Sequence, residues 1–162
     1  MTALDVIRAR RPDFRPAVAV ILGSGLGGLA AHMDEAMAIP YVDLDGFPMP
    51  GVSGHQGQLV LAKAGDTCVA LLQGRAHLYE TGKADAMKVA VASLAALGCE
   101  TLVLTNAAGG LDADMEPGSV MVLTDHLNFT GQSPLFNEPG DDRFVDLVDA
   151  YDPDLRQQLL VL

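Results

Sequence analysis

Apolar residues fall along this chain in short unbroken runs, set apart by clusters of glycine, proline and polar side chains. That is the pattern of buried strands joined by tight, specific loops. The first run, Ala17 to Leu22, enters Gly23-Ser24-Gly25-Leu26-Gly27-Gly28, and the helix-prone stretch Leu29 to Met33 follows. Strand, glycine loop and short helix are predicted in that order. Ala36 to Val42 reads as a second strand, and Asp43 to Gln56, rich in glycine and proline and without a period, as a long ordered loop. Gln58 to Lys63 and Thr67 to Leu72 flank the turn Ala64-Gly65-Asp66 and predict an antiparallel hairpin.

Lys83 to Leu97 carries Ala, Met, Val and Leu on nearly every face, with Gly98 placed to end it, which predicts a helix buried on most sides. Thr101 to Thr105 reads as a short strand of the buried parallel kind, ending in Asn106-Ala107-Ala108-Gly109-Gly110. Small side chains there let another group approach the backbone, and ligands favour such strand ends. Beyond Pro117-Gly118, Ser119 to Asp125 is expected to form a strand, Asn128 to Asp142 a polar loop, and regular structure to resume near Arg143. Asp152-Pro153 is an N-cap and first-turn signature, with Leu155, Leu159 and Leu162 on one face of the helix it opens. No C-cap follows, so the sequence is expected to break off inside that helix. No internal repeat is present.

Composition narrows the class. With 162 residues, 49% of them hydrophobic, and a mean hydropathy of +0.25, residues 1–162 suit one globular domain or part of one. A net charge of −11, with ten Lys and Arg in all, argues against nucleic-acid and anionic-membrane partners. Cys68 and Cys99 lie in or beside apolar runs without metal-ligand spacing, and read as reduced buried thiols. Met1 to Arg11 has no apolar signal core, and no stretch approaches a membrane span, which points to a cytoplasmic protein.

Gly23, Gly25 and Gly28 satisfy the G-x-G-x-x-G spacing after a strand, with Asp43 at about the distance expected of a dinucleotide-binding fold. A Rossmann unit continues in strand-helix-strand crossovers, however, and a long loop and hairpin come next here. The physical content survives: glycines opening a helix expose backbone N–H groups suited to an oxyanion, and Ser24 adds a hydroxyl. An ordinary strand-to-helix turn is the plainer alternative.

Gln73-Gly74-Arg75-Ala76-His77-Leu78-Tyr79-Glu80 follows directly from a strand. A guanidinium offers a planar fork matched to phosphate oxygens, and an imidazole can donate a further hydrogen bond. A structural His and an Arg paired with Glu80 remain open as alternatives. What raises the functional reading is that the strand ends after Leu22, Leu72 and Thr105 all carry glycine-rich or polar residues suited to a single anion crevice.

The segments GSGLGG, PGVSGHQGQLV, QGRAHLYE, LVLTNAAGGL and PGSVMVLTDHLN, in this order, closely resemble purine nucleoside phosphorylase of the trimeric, inosine- and guanosine-preferring kind, from about Val18 to Asp152. The resemblance implies an α/β, phosphorylase/hydrolase-like three-layer α/β/α sandwich on a central mixed β-sheet, incomplete at the C-terminus. It implies reversible phosphorolysis of purine ribonucleosides and deoxyribonucleosides in purine salvage, with inorganic phosphate as co-substrate and no metal or organic cofactor.

Carried over by position, Ser24, Arg75, His77, the backbone N–H of Ala107 and His55 would hold phosphate. Tyr79 would face the ribose, and Glu80 would order the basic loop, so His77 and Glu80 are the catalytic candidates. Phe144 resembles an aromatic residue that family members insert into a neighbouring subunit, which implies a homotrimer; from the residues alone, a core aromatic is equally compatible. The family's purine-recognising Glu and Asn lie in its later part and have no counterpart here. These residues alone are therefore expected to bind purine poorly and turn over negligibly. The alternative is a non-catalytic phosphate-binding or assembly fragment of the same fold.

Overall fold

The structure, a computed structural model, describes residues 1–49 and 56–161. Its first element is a helix the apolar pattern did not announce, α1 (Ala3–Arg10). Thr2 and Asp5 cap it reciprocally: the Asp5 N–H donates to Thr2 Oγ1 at 3.2 Å, and the Thr2 N–H donates to the Asp5 carboxylate at 2.9 Å. Only Ala3 and Ile7 of the helix are buried, too few apolar positions to show a period.

The central strands follow the apolar runs closely. They are β1 (Val18–Ile21), β2 (Asp34–Pro40), β3 (Gln58–Ala64), β4 (Thr67–Gln73) and β5 (Thr101–Leu104), in spatial order β2-β3-β4-β1-β5. β1 lies parallel to both β4 and β5, whereas β3 runs antiparallel to β2 and β4, so the sheet is mixed. An antiparallel β3–β4 hairpin beside β1 is incompatible with Rossmann crossovers. Neighbouring side chains of β3 bury on opposite faces: Leu59 and Leu61 pack with Ile7, Phe14, Ile39 and Leu94, while Val60 and Ala62 pack with Leu22, Val69 and Leu71. Two buried faces are why the sequence shows an unbroken apolar run rather than alternation.

A short 3-10 helix (Gly27–His32) follows the glycine loop, and α2 (Leu78–Thr81) and α3 (Lys88–Leu97) follow β4. α3 starts later than predicted, because residues 84–87 form turns, with the Lys88 N–H bonded to the Asp85 carbonyl at 2.9 Å. Gly98 ends it at a φ of 101°, in the left-handed region its lack of a Cβ allows. Burial is confined to Ala90, Ser93, Leu94 and Leu97, a single stripe, so the expectation of a helix buried on most sides is corrected. The expected burial of β5 is corrected too. Among the described residues it pairs only with β1, and Leu102, Val103 and Leu104 stay exposed. An apolar run records strand propensity but not whether a second strand lies alongside.

The chain divides into two compact units, Met1–Ala107 and Ala108–Leu162. In the second, a 3-10 turn (Gly140–Arg143) precedes α4 (Pro153–Leu159), where Asp152 Oδ1 accepts the N–H groups of Asp154 and Leu155, each at 2.9 Å. The strand expected over Ser119 to Asp125 does not form. A strand needs a partner ladder for its backbone groups, and no described residue supplies one. Instead Arg156 Nη1 donates to the Thr124 carbonyl at 3.2 Å, and the Tyr151 hydroxyl lies 3.2 Å from His126 Nδ1.

Candidate functional site

Parallel pairing sets the geometry of the first unit's candidate site. Ile21 is in register with Leu72 on one side and Leu104 on the other, so β1, β4 and β5 end at one level of the sheet. The residues that leave those ends are Gly23-Ser24, Gly74-Arg75 and Thr105-Asn106-Ala107. Polar side chains cannot stay inside the sheet, so they gather just beyond its carboxyl edge, where a ligand meets outward-facing backbone as well.

The three ends are bonded to one another. The Gly23 N–H donates to Thr105 Oγ1 at 2.8 Å, and that hydroxyl donates to the Ile21 carbonyl at 3.0 Å. Arg75 Nη1 donates to the Thr105 carbonyl at 2.5 Å, a bond that uses one of the five N–H donors of its planar fork. A Cβ on Gly23 would lie 2.7 Å from the Thr105 carbonyl oxygen and 2.8 Å from Asn106 Cα, so this glycine is required by close approach. Gly25 is required for another reason, a φ of 87°. Gly28, by contrast, has no atom of the described residues within 4 Å of an added Cβ. It lacks the tight packing that the third glycine of a dinucleotide fingerprint serves.

In the basic loop the His77 N–H donates to Glu80 Oε2 at 2.7 Å, across the first turn of α2. Glu80 thereby fixes the loop that carries His77. The Tyr79 ring stacks on the His77 imidazole, with centroids 4.9 Å apart and planes inclined by 14°, and its outer face is open to solvent. The Tyr41 hydroxyl, deep in the core, donates to the Gly74 carbonyl at 2.8 Å. Burial raises the Tyr41 pKa well above the ordinary phenol range, so it remains a neutral donor. A cleft of about 460 Å³ lined by Phe47, Ala76, Thr81, Lys83 and Asp85, among others, opens beside the loop.

Of the residues singled out from sequence, Ser24, Arg75 and Ala107 thus lie in the strand-end loops of the first unit, His77 caps α2, and Tyr79 and Glu80 lie within that helix; Ser24 and Ala107 are exposed. His55 lies outside the described residues. Phe144 ends the 3-10 turn of the second unit and is 77% exposed, so it is not the core aromatic that sequence alone left open. Three contributors were missed. Thr105, Gln73 and Tyr41 act through bonds to backbone, and a Thr or Gln closing an apolar run was the available signal. Among the described residues no cluster of three or more His, Cys, Asp or Glu could hold a metal ion, and no helix is long and apolar enough to cross a membrane.

Comparison with known proteins places the chain in a family. The chain is 45% identical over 153 residues to purine nucleoside phosphorylase of Mus musculus, covering 90% of this chain and 53% of that protein. With purine nucleoside phosphorylase 1 of Bacillus subtilis it shares 42% identity, over 94% of this chain and 57% of the relative. The chain spans about half the length of these relatives. Among solved structures, isoform 2 of purine nucleoside phosphorylase from Schistosoma mansoni, in complex with cytosine and ribose-1-phosphate, superposes with a TM-score of 0.87 at 34% identity, over 99% of this chain and 58% of that one. The family model of the phosphorylase superfamily matches residues 17–161, and the chain belongs to that superfamily.

Proposed function

We propose that this chain supplies the phosphate- and ribose-binding half of a purine nucleoside phosphorylase, a pentosyltransferase of purine salvage. The observation that carries the reading is the joining of three strand ends through Thr105, which brings the Gly23-Ser24 turn, Arg75 and Ala107 to one edge of the sheet. Orthophosphate is the anion this edge suits. Ser24 and the Ala107 N–H offer neutral donors, Arg75 a charged fork and His77 a further hydrogen bond, while His55, outside the described residues, is assigned to phosphate by the family resemblance alone. Tyr79 presents an open ring face for the sugar, and Glu80 keeps the loop in shape.

The chemistry then follows from charge. A phosphate oxygen forms the new bond to C1′ as the glycosidic bond to the purine breaks. The bonding pair leaves with the base, which takes up a proton balanced overall by the one that hydrogen phosphate gives up on becoming the sugar ester. The sugar passes through an oxocarbenium-like state, and a phosphate held beneath C1′ both stabilises its positive charge and becomes the nucleophile. Much of the rate comes from holding the two reactants in line. No cofactor is needed for this step.

The superfamily match crosses the boundary between the two compact units, which supports reading residues 1–162 as part of one phosphorylase domain. Exposed Phe144 suits contact with a neighbouring subunit in a cytoplasmic homotrimer. The relatives extend well beyond the matched region, and the base pocket is assigned to that further portion. The test is cleavage of inosine by the full-length protein with and without orthophosphate. Phosphate-dependent release of hypoxanthine and ribose 1-phosphate is expected, and equal hydrolysis without phosphate overturns the proposal.

A further inference from the structure

The glycine turn that carries Ser24 is loosely surrounded. Added Cβ atoms on Gly25, Gly27 and Gly28 would meet no atom of the described residues within 4 Å, and Ser24, Gly25 and Leu26 are exposed. Its position therefore depends on a few tethers rather than on packing. One is the bond from Gly23 to Thr105 at the start of the turn. At the other end, Gln73 Nε2 donates to the Gly27 carbonyl at 2.5 Å.

Gln73 is the last residue of β4, two positions before Arg75, and is only 4% exposed. A buried amide is costly unless both its donor and its acceptor are used. Here the acceptor is used as well: Gln58 Nε2 donates to Gln73 Oε1 at 2.5 Å and to Gln56 Oε1 at 2.8 Å. The Gln73 carbonyl accepts the Gly57 N–H at 2.8 Å. Leucine or methionine would satisfy the burial alone; an amide held in one orientation by Gln58 does more. It sets the distance between the turn bearing Ser24 and the loop bearing Arg75.

We propose that Gln73 is a positioning residue for the anion site, locking the glycine turn to the basic loop so that Ser24 and Arg75 converge on one ligand. This rests on the phosphate reading given above. Gln73 touches no substrate in this scheme; it acts through the Gly27 carbonyl.

The test uses the full-length protein with Gln73→Met, which keeps the volume but loses both bonds, and Gln73→Glu, which keeps an acceptor for Gln58 but no donor for Gly27. Orthophosphate affinity by titration is expected to fall about tenfold in both, with the nucleoside KM unchanged. Amide exchange is expected to rise at residues 23–28 while the strands β1, β3 and β4 stay protected. A folded variant that binds orthophosphate as tightly as wild type overturns the assignment, as does an equal loss of phosphate and nucleoside affinity. If neither variant folds, Gln58→Glu decides by the same readings, because a carboxylate facing Gln73 Oε1 favours the flipped amide, which turns its oxygen toward the Gly27 carbonyl. Wild-type protein that takes up no orthophosphate overturns the phosphate reading itself, while exchange at residues 23–28 still reports on the tether.

Discussion

The Thr105 hydroxyl stands between two strands, accepting the Gly23 N–H at 2.8 Å and donating to the Ile21 carbonyl at 3.0 Å. Gly23 is buried, so its N–H has no recourse to water once that acceptor is lost. Thr105→Val keeps the shape and removes the oxygen. An orphaned buried N–H costs about 1–3 kcal/mol, and denaturant unfolding of Thr105→Val should show a loss of that size, with Thr105→Ser recovering most of it.

The same approach makes Gly23 intolerant of a side chain. Both atoms that a Cβ would strike, the Thr105 carbonyl oxygen at 2.7 Å and Asn106 Cα at 2.8 Å, belong to backbone and cannot swing aside. Gly23→Ala should destabilise by about 1–3 kcal/mol through enforced separation of the strand ends and should weaken orthophosphate binding. Gly28→Ala, with no atom of the described residues within 4 Å of its added Cβ, should leave both unchanged and serves as the control.

Arg75 is held by the Thr105 carbonyl at one of the five N–H donors of its fork. Loss of a charge-assisted hydrogen bond is worth about 1.5–3 kcal/mol, so Arg75→Ala should raise the phosphate KM roughly ten- to a hundredfold. Arg75→Lys should restore charge but not the bidentate geometry, and recover only part of the affinity. Phosphate-saturation kinetics at fixed nucleoside would show this; an unchanged phosphate KM in Arg75→Ala would remove Arg75 from the site.

Much of this arrangement was legible in the chain. Unbroken apolar runs located β1, β3 and β4 because both faces of the sheet are covered there, an apolar run located β5 although it is exposed, and Gly65 and Gly98 punctuated where expected. Gly23, Ser24 and Arg75 stood out because glycines and scarce basic residues mark strand ends. What could not be read was anything decided by partners distant in sequence. Among the described residues, Ser119 to Asp125 has strand propensity but no ladder, and β5 has apolar residues but one neighbour. Gln73 opened the basic loop and Tyr41 looked like an ordinary member of its run, but a bond from residue 73 to residue 27 or from 41 to 74 leaves no local pattern.

The Tyr41 bond yields a quieter prediction. Tyr41→Phe retains the ring that packs on Phe47, with centroids 5.2 Å apart, and strips only the donor to Gly74. A neutral hydrogen bond contributes about 1 kcal/mol net, and a melting-temperature drop of about 2–4 °C is expected. Since Gly74 adjoins Arg75, the phosphate KM should rise modestly as well.

Acid stability should report on Glu35, the described non-glycine residue with positive φ, at 49°, in the irregular stretch of β2. Lys63 Nζ donates to its carboxylate at 2.7 Å and Arg11 Nη2 at 2.8 Å. The hydrogen bond from Lys63, then the attraction of Lys63 and Arg11, holds the Glu35 pKa below its ordinary 4.5. A carboxyl depressed in the folded state contributes stability that is fully present above its unfolded pKa and lost as pH falls through the folded value. Wild-type melting temperature should therefore decline below about pH 4.5 partly through this group, and Glu35→Gln should flatten that part of the decline. Arg11 keeps its bonds to the Glu35 and Leu61 carbonyls in that variant, so the strand should stay in place. Because the cluster is open to solvent, 1 M salt should shrink the difference between the two proteins; a difference untouched by salt would mean that backbone strain at residue 35, rather than its charge, sets the effect.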